Sequence, residues 1–419
     1  MCVALSSRQE SGLSLSIVHV ADYVMPGLGY QEFLLPKWNQ RHGYEVHIVT
    51  GDRYKPVAHY DKVWGRLLGP RILTPGVEVI EGVHVHRLPV ALELKSRAWL
   101  RHLEETVLRI APDVLFVHGT GSPLAFSAAR IAGRLRLPML MDNHMVFSSR
   151  NRRLHGRIYY HMLRTLSPRL LGPATYRFLG VAEECCQFLE EEQGIHPRVI
   201  ECLPLAVDTD LFQPKPEARR EMRHQLGISD DAIVILQTGK LAPRKAPHVL
   251  AKAAAPLLKE DARRQLVFVG GGDPEYLARV RMPLEALDVV DQMHFVPVVP
   301  VSELATVYSM ADIAVYPGGT SLSCLEAAAC NLPVIMTDLP ASRWRSDHGV
   351  GMCYESDNVN DLRTKMERLL KDDALRREMG RSSRTAVLEH FSYDAVARRS
   401  EELMREAISA RRNGHRVSS

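Results

Sequence analysis

Short apolar runs, each closed by a glycine, proline or hydroxyl-rich turn and followed by a helical stretch, occur in two successive series in this chain. That doubled alternation limits the available folds more than any other feature. In the first series, strands are predicted at Ser14–Val20, Gly43–Thr50, Val83–Arg87, Val114–Val117 and Met139–Asp142, with a helix over Gln31–Arg41. In the second they are predicted at Ala232–Gln237, Gln265–Val269, Met293–Val296, Ile313–Tyr316 and Val334–Met336. Apolar runs of this kind suit parallel strands buried on both faces, and helices between them supply the covering layers. A chain of 419 residues is long enough for two such cores. The break falls in the proline-bounded segment Leu203–Pro214. The expected division is residues 1–205, residues 206–392 and a last amphipathic helix over 393–411, with a frayed tail at Asn413–Ser419. The expected fold class is α/β, with two Rossmann-like doubly wound domains. In such sheets ligands bind outside the strand carboxyl ends at a switch point, so two halves facing one another would form a cleft.

Composition removes several function classes. A net charge of +4, with 24% charged and 46% hydrophobic residues, describes a soluble globular chain and argues against a nucleic-acid partner. Seven cysteines, Cys185 and Cys186 adjacent, form no disulfide framework, and no Cys/His spacing resembles a zinc site. Met1–Leu15 lacks the basic and apolar regions of a signal peptide, and no run approaches the ~18 apolar residues of a membrane span. A cytoplasmic protein, at most peripheral on the inner face of a membrane, is expected.

Three strand-to-loop junctions carry the chemistry. Pro317–Ile335 runs from a strand end through a glycine and hydroxyl loop into a helix opening near Ser321, where free amides suit a diphosphate. Asn331, which tolerates the left-handed conformation, sits where that helix must stop. Glu326 lies one to two turns in, within reach of a ribose; alone, it reads more readily as an ordinary surface glutamate. In Leu236–Pro247 a glycine turn at Gly239 carries Lys240, with Arg244 and Lys245 beyond, cations able to clamp a diphosphate leaving group or simply to be solvated. Val269–Pro274 is a third glycine loop and suggests only a tight turn. In the first half, Gly27 and Gly29 offer a backbone that could approach a phosphate, and His144 follows a predicted strand directly.

In this order the features resemble family 4 glycosyltransferases, retaining enzymes of the GT-B fold (glycosyl transferases group 1). Gly43-Tyr-Glu-Val46 resembles the family's Gly-His-Glu-Val, Leu203–Pro214 its linker, and Thr238-Gly-Lys-Leu-x4-Lys245 its Gly-Arg-Leu-x4-Lys clamp, with lysine at 240. Glu326–Ile335 resembles Glu-Ala-x-Ala-x-Gly-x-Pro-Val-Ile, with Asn331 for glycine, and Phe391-Ser-Tyr393 resembles the Phe-Ser-Trp opening the last helix, which in that fold crosses back to the first domain. The resemblance implies diphosphate binding by Lys240 and Lys245 and ribose binding by Glu326. It further implies phosphate capping by the amides of Thr320, Ser321 and Leu322, contact between His144 and the transferred sugar, retention of configuration, and no metal or other cofactor beyond the nucleotide-sugar donor. One position departs. The family's first glutamate, eight residues before Glu326, falls on Gly318, which is expected to vacate space and favour a deoxy, amino or acylated donor sugar, as in polysaccharide biosynthesis with modified sugars. A water, Ser321 or Ser323 replacing the lost acceptor is the alternative.

Between Asn143 and Ala182 there is no acidic residue, while Arg150, Arg152, Arg153, Arg157, Arg164, Arg169 and Arg177 lie among tyrosines and leucines. This suits an anionic membrane surface or a glycan acceptor on a lipid diphosphate, or else a solvated basic face. Two further readings stay open: a nucleotide-sugar epimerase or phosphorylase on the same fold, and a non-catalytic subunit that binds or activates a partner.

Overall fold

The computed structural model of the chain describes residues 14–57, 60–94, 96–147, 150, 153–319 and 321–413. It divides into two compact units: residues up to 205 together with those from 396 onward, and residues 206–395.

In the first unit the strands are β1 Ser16–Ala21, β2 Glu45–Gly51, β3 Gly76–Ile80, β4 Val83–Leu88, β5 Val90–Leu94, β6 Arg97–Leu100, β7 Val114–His118, β8 Met139–Asn143, β9 Thr175–Gly180 and β10 Ile200–Cys202. Eight form one sheet in the order β10-β9-β8-β7-β1-β2-β4-β3, parallel except for β3, while β5 and β6 make a separate hairpin. The order reverses between β1 and β7, which pair from Ile17–Val114 to Ala21–His118, and this is the switch point of a doubly wound sheet. Val18, Val20, Leu115, Val117, Met139 and Met141 are buried from water on these central strands. The Pro123–Leu135 helix covers one face with Leu124, Ala128, Ile131 and Ala132. Its start is set by proline in the first turn and by the Ser122 hydroxyl accepting from the Ala125 amide at 3.3 Å.

The C-terminal helix, Tyr393–Arg412, packs in this unit from Val396 onward. Leu403, Met404 and Ala407 are buried, and Asn39 donates to the Glu401 carboxylate at 2.8 Å.

The second unit contains β11 Ile233–Thr238, β12 Arg264–Val269, β13 Met293–Val296, β14 Ile313–Tyr316, β15 Val334–Thr337 and β16 Met352–Tyr354, all parallel, in the order β13-β12-β11-β14-β15-β16. Its switch point lies between β11 and β14. The helix after β14 spans only Ser323–Ala329, two residues later than predicted, because the Ser321 hydroxyl turns in to accept from the Ser323 amide at 3.3 Å. Asn331 takes the left-handed conformation after it, with φ of 68°. The strands predicted from apolar runs are all present, and all but the edge strand β13 lie inside their sheets. β3, the hairpin, β9, β10 and β16 were not predicted: β3 and β5 leave most of their side chains in water, β9 carries Thr, Tyr and Arg, and β10 and β16 are three residues long.

Candidate active site

At the switch point of the first unit is a cavity of about 300 Å³. Its walls include Asp22 beyond β1, His118 and Gly119 at the end of β7, Asn143 and His144 at the end of β8, and Lys55 and Arg97. Gly27 and Gly29 do not line it; the residues flanking their turn, Met25 and Tyr30, do. Gly29 is left-handed, φ 70°, so its glycine serves the turn.

His144 is placed by a carboxylate. Its Nε2 lies 3.4 Å from Oδ1 of the fully buried Asp142, which also accepts from the Gly119 amide at 2.8 Å. The other oxygen, Oδ2, receives His118 Nδ1 at 2.7 Å and Gln31 Nε2 at 3.3 Å. Burial opposes charge on His144, but Asp142 outweighs it and the imidazole titrates above its ordinary value. Burial likewise opposes the Asp142 charge, and His118 and His144 overcome it, holding the carboxyl far below the usual range.

Behind Asp142 a hydrogen-bonded chain runs through the core to the C-terminal helix. His118 Nε2 meets His19 Nδ1 at 3.1 Å, His19 Nε2 meets Asn39 Oδ1 at 3.2 Å, and Asn39 donates to Glu401, which also meets His42 Nδ1 at 2.8 Å. The proton count is informative. With the Asn39 amide nitrogen committed to Glu401, the three contacts from Asp142 to Asn39 need three ring protons, and two neutral imidazoles carry two. The His19–His118 pair therefore shares one extra proton, balancing Asp142. Of the two rings only His118 touches the Asp142 carboxylate, while His19 faces a neutral amide, so that proton belongs at the His118 end.

In the second unit the predicted residues gather at the β11–β14 switch point. Lys245 Nζ reaches the Gly319 carbonyl at 3.3 Å, and Gln237 fixes its loop by donating to the Lys245 carbonyl at 3.0 Å. Burial, with Arg244 beside it, lowers the Lys245 pKa, and Arg345 adds to the effect. Positive groups gathered this closely mark a place suited to an anion. Glu326 accepts from the buried Tyr308 hydroxyl at 2.6 Å; that hydroxyl also meets Thr238 Oγ1 at 3.0 Å, and Thr238 meets Tyr316 at 3.0 Å. The network ties Glu326 to the strand end that carries Gly239 and Lys240. Burial pushes the Glu326 carboxyl up, and the Tyr308 bond pulls it partly back. Lys240 and Gly239 are exposed, Gly239 with φ of 111°. Ser321 and Leu322 lie in the loop before the short helix, and Thr320 is outside the described residues.

Two features here were not read from the sequence. Arg345, from the Pro340–Asp347 helix, donates to the Ser321 carbonyl at 2.9 Å and braces the loop; nothing local in its sequence marks it. The space expected at Gly318 is filled by backbone. A Cβ there would lie 2.8 Å from the Arg244 carbonyl oxygen and 2.9 Å from Ala246 Cβ, because the 244–246 loop has closed against it. The third glycine loop has a similar cause: Gly272 passes so close to the Leu241 carbonyl that a Cβ would stand 2.6 Å from it.

The Arg150–Arg177 stretch is partly committed inside the molecule. Arg150 pairs with Glu192 at 2.7 Å and Arg177 lies over Tyr176 at 4.5 Å, while Arg157, Arg164 and Arg169 are exposed on the Leu154–Leu170 helix. Arg152 is outside the described residues. Among the described residues no helix is long and apolar enough to cross a membrane, and no cluster of three or more His, Cys, Asp or Glu could hold a metal ion.

Two doubly wound parallel-sheet units, each with polar groups collected at its switch point, are the architecture of the GT-B fold. Solved structures share it: Anabaena HepE in complex with UDP (TM-score 0.67, 14% identity, covering 94% of this chain and 100% of that one) and sucrose-phosphate synthase from Thermosynechococcus elongatus (TM-score 0.64, 19% identity, 94% and 100%). Two family models match in tandem, Glycosyltransferase Family 4 over residues 37–211 and Glycosyl transferases group 1 over residues 218–386, and the chain belongs to that family. Curated relatives include a D-inositol 3-phosphate glycosyltransferase of Streptomyces bingchenggensis, 29% identical over 66% of this chain and 63% of that protein. Another is a GDP-mannose-dependent alpha-(1-6)-phosphatidylinositol monomannoside mannosyltransferase of Mycolicibacterium smegmatis, 30% identical over 51% and 58%. The chain thus spans about three-fifths of the length of these relatives.

Proposed function

We propose that this protein transfers a sugar from a nucleoside diphosphate sugar to an acceptor hydroxyl with retention of configuration and without a metal ion. The observation that carries the reading is the switch point of the second unit, where Lys245 and Arg345 converge on the 319–321 loop and Glu326 is held by Tyr308. In this reading Lys240 and Lys245 neutralise the diphosphate, the amides of Thr320, Ser321 and Leu322 cap its far end, and Glu326 accepts from a ribose hydroxyl. The acceptor enters the cavity of the first unit, where His144, kept protonated by Asp142, donates to a sugar hydroxyl. The bond from the anomeric carbon to the phosphate oxygen breaks as the bond to the acceptor oxygen forms on the same face. The departing phosphate takes the acceptor's proton, and the cations stabilise the charge it gains. The relatives' printed names support an inositol-bearing acceptor, and HepE's complex with UDP supports a nucleotide ligand. The cytoplasm, with contact to anionic lipid through the exposed arginines, is the proposed location.

Calorimetry with UDP, GDP and ADP tests the nucleotide site. Charge-assisted contacts contribute about 1.5–3 kcal/mol each, so Lys245→Ala and Glu326→Ala should each weaken the preferred nucleotide at least tenfold. Unchanged affinity in both would refute the assignment. The loss of the family's first glutamate at Gly318 favours one rival, a subunit that binds without catalysis. Slow hydrolysis of any donor in a nucleotide-sugar panel would exclude it.

A further inference from the structure

A second cavity, of about 520 Å³, adjoins the His144 cavity, and the two share Ser96, Arg97 and Gly121 in their walls. The rest of its lining is different in kind: Leu94, Trp99 and Pro123, with Tyr159 and Tyr160 from the Leu154–Leu170 helix. Tyr159 has already spent its hydroxyl, which donates to the Gly121 carbonyl at 2.8 Å, so its ring is what remains for a ligand. The shared wall is thin. A Cβ on Gly121 would lie 2.9 Å from that hydroxyl and 2.8 Å from Met145 Cε, so a larger residue there would push the Met145 and Tyr159 side chains aside.

Arg97 is the polar group common to both cavities. Among the described residues its side chain makes no hydrogen bond or ion pair, and its charge is felt by Asp22, which faces the His144 cavity. A guanidinium at the junction of a polar and an apolar cavity suits a ligand that changes character at that point, with an anion between a hydroxyl-bearing head and an apolar tail. The elements forming the apolar walls also leave Leu92 56%, Leu154 72% and Ile158 52% exposed.

We propose that the aromatic cavity holds the apolar chain of the acceptor, with a phosphate ester at Arg97 and the reacting hydroxyl beside His144. The acceptor would then be a single amphiphile, not a free sugar or polyol phosphate. The position of the reacting hydroxyl rests on the transfer reading above; the binding site itself does not.

The test is calorimetry on the full chain, without nucleotide, using inorganic phosphate, butyl phosphate and octyl phosphate. Each buried methylene raises affinity about fourfold, so octyl phosphate should bind at least tenfold more tightly than butyl phosphate. Leu94→Asp, at an exposed position, and Trp99→Ala should each bring that ratio below about threefold while leaving UDP affinity unchanged. Arg97→Gln should weaken both alkyl phosphates at least fivefold and keep their ratio. Equal affinity for the butyl and octyl esters, or a ratio that survives both Leu94→Asp and Trp99→Ala, would overturn the proposal. The UDP measurements, made on the same variants, report separately on the nucleotide site, so failure of one reading leaves the other decided on its own data.

Discussion

Asp142→Asn is a nearly isosteric change whose cost depends on the proton count in the first unit. The carboxylate faces four donors: the Gly119 amide, His118, Gln31 and His144. The asparagine carbonyl can keep the Gly119 amide, which has no alternative. Its NH2 must then face His118 Nδ1, which becomes an acceptor by moving its proton to Nε2. That proton donates to His19 Nδ1, and His19 Nε2–H donates to Asn39 Oδ1. Two neutral rings now satisfy every contact of the histidine chain, and the extra proton of the pair is released. What is lost is the charge assistance to two hydrogen bonds, the His144 ion pair and the Gln31 contact, together about 2 kcal/mol. Asp142→Ala has no such escape and should cost about 3–5 kcal/mol, the usual penalty for stripping one partner from a buried charged group. For a unit of this size each kcal/mol moves Tm by roughly 2–4 °C, so scanning calorimetry should show losses of about 4–8 °C and about 6–20 °C respectively. Nitrogen-detected histidine spectra should show His118 protonated at both nitrogens in the wild type and at Nε2 alone in Asp142→Asn. Equal destabilisation by the two variants, or an unchanged His118 pattern, would refute the proton count. The pH dependence follows from the same groups. Asp142 has a depressed pKa, so its contribution is complete above about 3.8 and fades as pH falls through its folded value. His144 has a raised one, so its contribution is complete below about 6.5 and fades as pH rises through its folded value. Asp142→Asn should flatten both flanks.

Three other changes have defined outcomes. Gly318→Ala places a methyl 2.8 Å from the Arg244 carbonyl and should lower Tm and weaken UDP binding at least fivefold; unchanged values would mean that the 244–246 loop yields freely. Transfer should persist in excess EDTA, and complete loss restored by magnesium or manganese would contradict the metal-free reading. Flotation with anionic vesicles should occur at low salt, fall steeply toward 1 M, where the Debye length is about 3 Å, and be reduced by Ile158→Asp; flotation indifferent to salt would leave the exposed arginines as a solvated face.

The central parallel strands were legible because apolar side chains on both faces leave a continuous run, as in Ser16–Ala21 and Val114–His118. β3 and β5 were not, since their side chains stand mostly in water and obey no burial pattern. Lys245 and Glu326 were found from loop spacing, whereas Tyr308, which positions Glu326, and Arg345, which braces Ser321, act across 18 and 24 residues of sequence and have no local signal. The histidine chain had one that was overlooked. His19 and His118 each interrupt an otherwise apolar strand, and a buried polar side chain there requires a partner. Which partner it has could not be read, because Asn39 and Glu401 meet only when residues 362 positions apart are folded together.

That separation sets an order for synthesis. Residues 206–395 form a contiguous unit that can close on itself as soon as it emerges. The first unit emerges earlier but must wait, because Val396, Leu403, Met404 and Ala407 cover its core and Glu401 receives Asn39 and His42. Until the final helix is made, the nascent sheet carries an uncovered apolar strip and a buried amide without its acceptor, a form suited to chaperone capture and prone to error. The unit translated first is therefore completed after the second, and a chain cut off before Val396 would have its second unit finished and its first not.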